Sequence, residues 1–134
     1  MSVKELDILL PGNAKLNSLE RGIISEPFNL IKAIKMAKDW KLPMSVIIHK
    51  NKIIGAGTGG TAHYAFIKAF KASKAFLTDG EAVIVFNKFV NADTIACIEA
   101  NVEGRIVIIA PEFDLLSGAE ANLSKKIIYK DPDL

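Results

Sequence analysis

The sequence predicts an α/β domain: a mixed sheet that starts with an antiparallel hairpin and carries helices on both faces, a three-layer α/β/α sandwich. Three observations lead there. EAVIVFN (81–87) and RIVIIAPE (105–112) are continuous apolar runs, the kind found in strands buried on both faces rather than on one. Segments with apolar residues at helical spacing alternate with these strands, which calls for crossover connections and parallel pairing. MSVIIH (44–49) and KIIGAG (52–57) are separated only by Lys50-Asn51. Asparagine tolerates positive φ, so the pair reads as two strands joined by a tight turn.

In chain order, residues 1–24 hold the short apolar pieces DILL and GII among Pro11, Gly12, Asn13 and Asn17, and read as edge strands or a docking arm at the N-terminus. Ser25 is a good N-cap, Glu26 complements the positive helix end, and Pro27 falls in the first turn, where a missing N–H does no harm. Phe28, Ile31, Ile34, Ala37 and Trp40 then recur at helical spacing, with Lys32, Lys35 and Lys38 facing away, until Pro43 stops the helix. After the hairpin, a helix is expected from about Thr61 to Lys74, with Ala62, Ala65, Phe66, Ala69 and Phe70 on its apolar face. NADTIACIEAN (91–101) reads as a helix capped by Asn91, DLLSGAEANLS (114–124) as a short helix or turn, and KIIYK (126–130) as a last strand. The chain contains neither an internal repeat nor a low-complexity stretch, so 1–134 reads as a single domain.

At 134 residues the chain can bury a substantial core, hiding roughly two-thirds of the surface its unfolded form exposes. A net charge of +2 with scattered lysines gives no nucleic-acid footprint. Cys97 is alone, which rules out an internal disulfide and a thiolate metal cluster within one chain; in DTIACIEA it reads as a small buried hydrophobe. The first residues lack the apolar run of a signal peptide, and no segment approaches the ~20 apolar residues that cross a bilayer. The expectation is a soluble cytoplasmic protein with neither nucleic acid nor membrane as a partner.

VIIHKNKIIGAGTGGTAHYA (46–65) holds both histidines and is the stretch with most chemical content. It is not a P-loop, since no lysine follows the glycines in the required place. GAGTGG (55–60) fits G-x-G-x-x-G as letters but follows the second arm of a hairpin rather than a crossover strand. Glycine lets the backbone come close to a ligand, and the N–H groups that open a helix near Thr61 suit an anion. The same glycines could equally do no more than turn the chain from strand to helix.

A hairpin of this form followed by a helix resembles the opening of the cytidine-deaminase-like fold. Zinc deaminases place His-Ala-Glu at the start of that helix and Pro-Cys-x-x-Cys on a later one. The matching triplet here is Thr61-Ala62-His63 and Cys97 has no partner, so no zinc site is expected. One family shares the fold without zinc: the transformylase domain of the bifunctional purine-biosynthesis enzyme, which formylates aminoimidazole carboxamide ribotide. ISEPFNLIKAIKMAKDWKLPMSVIIHKNKIIGAG (24–57) is similar to that family's helix followed by a strand ending in Lys-His and then Gly, and "IGAG" to the Ile-Gly-Ala-Gly of that domain's second half. FLTDGEAVIVFNKFVNADTIACI (76–98) resembles its Phe-Gly-Gly strand and following helix. IVIIAPEFDLLSGAEANLSKK (106–126) resembles its IIAP segment, which ends in Lys-Lys. The chain thus resembles one half of an internally duplicated domain.

The resemblance implies formyl transfer from formyl-tetrahydrofolate to the ribotide, without a metal. It makes His49 and Lys50 the catalytic candidates, one to take the amine proton and one to steady the oxyanion. Gly55, Gly57, Thr58, Gly59, Gly60, Thr61 and His63 become candidates for holding the nucleotide-like substrate. The family's order is Lys-His and this chain's is His49-Lys50; consecutive strand residues point to opposite faces, so the swap exchanges their sides. A non-catalytic module that binds a nucleotide-like anion is the alternative. Because the family's site forms between halves and across a dimer, a homodimer or larger assembly is expected.

Overall fold

A computed structural model describes residues 28–77, 81–114, 126–130 and 134. The expected arm at 1–24, the Ser25 cap and the 114–124 segment beyond Asp114 lie outside them. The chain is α/β, and its main sheet is mixed. Helix α1 (Phe28–Asp39) leads into the hairpin β1 (Met44–His49) and β2 (Lys52–Thr58), followed by α2 (Ala62–Ser73) and a single 3₁₀ turn at 74–76. Then come β3 (Ala82–Phe86), the two-residue β4 (Val90–Asn91), α3 (Ala92–Asn101), β5 (Ile106–Ala110), the two-residue β6 (Phe113–Asp114) and β7 (Lys126–Lys130).

The five-stranded sheet runs β2-β1-β3-β5-β7. β1 is antiparallel to both its neighbours, whereas β3, β5 and β7 are mutually parallel. β2 therefore points the same way as β3, and β1 alone is reversed. The hairpin turn has positive φ at Lys50 (52°) and Asn51 (64°), the type I′ pattern that matches strand twist, and the Asn29 side-chain amide donates to the Asn51 carbonyl.

Strand residues alternate between two cores. Val46, Ile48, Val83, Val85, Val107 and Ile109 join Leu30, Ile31, Ala33, Ile34 and Ala37 of α1. Ile47, Ile84, Phe86, Ile106 and Ile108 join Ala62, Phe66 and Ala69 of α2 and Ile95 and Ile98 of α3. The period-two alternation means the two clusters lie on opposite sides of the sheet. Trp40, expected on the buried face of the first helix, falls just past its end and is 48% exposed. Cys97 is half-buried at the edge of the second core.

α2 rests directly on β2. A Cβ built at Gly57 would stand 2.5 Å from the Ala69 nitrogen and 2.6 Å from the Ala65 carbonyl oxygen, and one at Gly55 would stand 2.7 Å from the Ala69 carbonyl oxygen. Ala65, Ala69 and Ser73 are buried on the facing side of the helix. Two of the glycines assigned to substrate binding are thus enclosed by the helix that follows them. A bulge between Ile47 and Ile48 keeps both glycines on the α2 side: Ile47 pairs with Gly55 and Ser45 with Gly57. Gly57→Ala is expected to lower stability by about 1–3 kcal/mol or more through overpacking against backbone that cannot yield. Gly60→Ala, where a Cβ meets nothing within 4 Å, should change it by less than about 0.5 kcal/mol. Urea unfolding midpoints of the two variants check the contrast.

Candidate ligand-binding site

A pocket of about 510 Å³ opens at the carboxyl ends of β2 and β3, lined by Pro43, Gly60, Thr61, Ala62, His63, Tyr64, Lys88, Phe89, Asn91, Asp93 and Thr94. Open α/β sheets characteristically bind ligands beyond this end of their strands. Two helices begin on it. Thr61 caps α2, its hydroxyl accepting from the Tyr64 N–H, and Asn91 caps α3, its side-chain oxygen accepting from the Thr94 N–H and hydroxyl. The earliest amides of each helix, at Ala62 and His63 and at Ala92 and Asp93, have no intrahelical acceptor. Both helix dipoles thus present their positive ends to one cavity.

The side chains add to this field. Lys88 is exposed at the rim, and His63 is half-buried with its ring edge-on to Tyr64, centroids 5.9 Å apart. Tyr64 and Phe89, 60% and 55% exposed, offer aromatic surface. Asp93 supplies one carboxylate in the first turn of α3, where it favours the helix and can accept from a ligand N–H. The turn carrying Lys88 and Phe89 is held by the short parallel ladder of β4 and β6, with the Val90 N–H donating to the Glu112 carbonyl at 3.0 Å. That second, two-stranded sheet has no counterpart in the sequence expectation.

Of the residues singled out from sequence, Gly60, Thr61 and His63 line this pocket. Thr58 ends β2 opposite Met44, and the Gly59 N–H donates to the Pro43 carbonyl at 3.1 Å, so both belong to the ladder leading to it. A Cβ at Gly59 would meet the Tyr64 Cβ at 2.8 Å, which makes this glycine too a matter of helix packing.

His49 and Lys50 are elsewhere. Because β1 is reversed, its last residue lies at the amino ends of the parallel strands, five positions from Met44, or about 17 Å along the strand. His49 is 4% exposed, and its Nδ1 is hydrogen-bonded to the Glu81 carbonyl. The Glu81 carboxylate in turn holds Arg105 through Nε and Nη2. The structure does not bring His49 and Lys50 together with Gly60, Thr61 and His63. The hairpin contained the signal: a seven-residue strand separates its turn from the glycine loop. Lys88, Phe89, Asp93 and Thr94 belong to no recognisable motif, although NKFVNAD follows a buried strand at the very end where such sites form.

Among the described residues, no group of His, Cys, Asp and Glu is arranged to hold a metal ion, and no helix is long and apolar enough to cross a membrane. His49→Ala is expected to cost about 1–3 kcal/mol, because it removes a buried ring and its part-buried hydrogen bond to the Glu81 carbonyl. It should leave ligand affinity at the distant pocket unchanged within twofold. Denaturant titration and calorimetry on the same variant measure both.

Comparison with models of known protein families and with curated protein sequences finds no match for this chain.

Proposed function

We propose that the pocket between the starts of α2 and α3 is the substrate site of a transformylase-type domain, binding a phosphorylated aminoimidazole carboxamide ribotide and accepting formyl-tetrahydrofolate as co-substrate. The observation that carries this reading is the convergence of two helix starts on one cavity that also holds aromatic and cationic side chains. A phosphate suits the first-turn amides and Lys88, a planar heterocycle suits Phe89 and Tyr64, and carboxamide or amine N–H groups suit Asp93. Support for the ancestry comes from the strand order, with one reversed strand beside parallel ones, which fits a cytidine-deaminase-like three-layer sandwich.

In this reading the amine attacks the formyl carbon, forming a carbon–nitrogen bond and a tetrahedral oxyanion. As the oxyanion collapses, the bond to the folate nitrogen breaks and that nitrogen takes up a proton. His63 is the histidine within the pocket and takes the amine proton; the amides at the helix starts steady the oxyanion. His49 and Lys50 have no part in the step. The second reading, a binding module without transfer, is favoured by their distance from the pocket.

Calorimetry with the ribotide should show saturable binding that NAD does not reproduce, and His63→Ala should retain binding while losing formyl transfer by a hundredfold or more. Binding with no formylated product in the wild type would select the binding module; no binding would remove both readings.

The same proposal includes assembly as a homodimer or larger. Trp40, Leu42, Phe76 and Phe89 are large apolar side chains that a single chain leaves more than 45% exposed. Light scattering at micromolar concentration is expected to give at least the dimer mass, and a monomer mass counts against it.

A further inference from the structure

We propose that Asn87 is the positioning residue of the pocket, through which β3 leaves the sheet and the turn after it, the 40–43 connection and the glycine turn are fixed to one another. The inference rests on the ribotide-site reading for its functional consequence.

Asn87 follows the last residue of β3 and stands opposite Met44, one step beyond the Ser45–Phe86 pair. Its own N–H donates to the Met44 carbonyl at 3.4 Å, which marks the two as a hydrogen-bonded pair of the antiparallel ladder. In a ladder that continued, the Met44 N–H would donate to the Asn87 main-chain carbonyl. It donates instead to Asn87 Oδ1, at 2.7 Å. The side chain stands in for the backbone, so the main chain is released from the sheet and turns at once into Lys88 and Phe89, which line the pocket.

The other end of the same amide fixes a second wall. Nδ2 donates to the Trp40 carbonyl at 2.9 Å and to the Leu42 carbonyl at 2.8 Å, pinning the connection that delivers Pro43. Pro43 passes the constraint on, since its carbonyl receives the Gly59 N–H just ahead of the α2 start. One side chain, 5% exposed, thus links the turn after β3, the 40–43 connection and the glycine turn. Its donors and acceptor are matched in a way no other side chain of similar size reproduces. Aspartate keeps the acceptor for Met44 and sets a carboxylate against two carbonyl oxygens.

The test compares Asn87→Asp with Val107→Ala, a core change on the α1 side of the sheet, at matched urea midpoints. Hydrogen exchange without ligand is the first measurement. Asn87→Asp is expected to speed exchange of the Gly59 amide at least tenfold relative to the Ile84 amide at neutral pH. Protonating the introduced carboxyl at acid pH should narrow that gap, because it restores one donor. Val107→Ala should change both amides alike. The second measurement is ribotide affinity, expected to fall at least tenfold in Asn87→Asp and less than twofold in Val107→Ala. A Gly59/Ile84 ratio unchanged in Asn87→Asp, or equal affinity losses in the two variants, overturns the positioning role. If the wild type binds no ribotide, the functional reading fails, and the exchange ratio still decides whether Asn87 holds the walls.

Discussion

The close seating of α2 on β2 is the constraint from which the rest of the site follows. Helix and strand backbones meet where Gly55 and Gly57 present no side chain to the face formed by Ala65 and Ala69. Their separation is set by backbone atoms on both sides, which leaves little freedom for the helix to slide or lift. The start of α2 is consequently held at the carboxyl end of the sheet, next to the turn that follows β3. That contact, together with the core that α2 shares with α3, sets the relation of the two helix starts and so the shape of the cavity between them. Glycine serves here to bring protein backbone against protein backbone. Only Gly60, at the end of the run, faces open space.

Much of the architecture was legible because several independent signals agreed on each element. The hairpin turn follows from Lys50-Asn51 between two apolar runs, and both residues take the positive φ that such a turn demands. The buried strands follow from AVIVF and IVIIA, the third helix from Asn91 and the apolar spacing behind it. Trp40 was misplaced because spacing alone extends a helical face past the residue where the chain turns toward Pro43. β4 and β6 were invisible: two residues each carry no periodicity, and their pairing depends on where the ends of β3 and β5 come to rest.

The site was less legible than the fold, for a reason of direction. The family resemblance groups His49 and Lys50 with the glycines in one site, yet in a tight hairpin the turn and the exit of the second strand are at opposite ends. A histidine at the close of a reversed strand is carried away from the edge where helices begin, and there it is absorbed into the packing beside Glu81. Asn87 was unreadable for a different reason. Its importance depends on three backbone groups more than forty residues away in the chain, and an asparagine after a strand looks like any turn residue until those partners are in place.

The solitary reversed strand also orders assembly of the chain. β1 and β2 meet across a two-residue loop, and α2 follows at once onto the same strands, so the segment from Met44 to Ser73 gathers its contacts from near neighbours in sequence. Docking β3 against β1 closes a loop of more than thirty residues, and β5 must then pair in parallel, which no short turn can arrange. Local closure costs less entropy than distant closure. Contact locality therefore favours the hairpin and its helix as the template onto which the parallel strands are added, which would make the middle of the sequence the kinetic beginning of the fold.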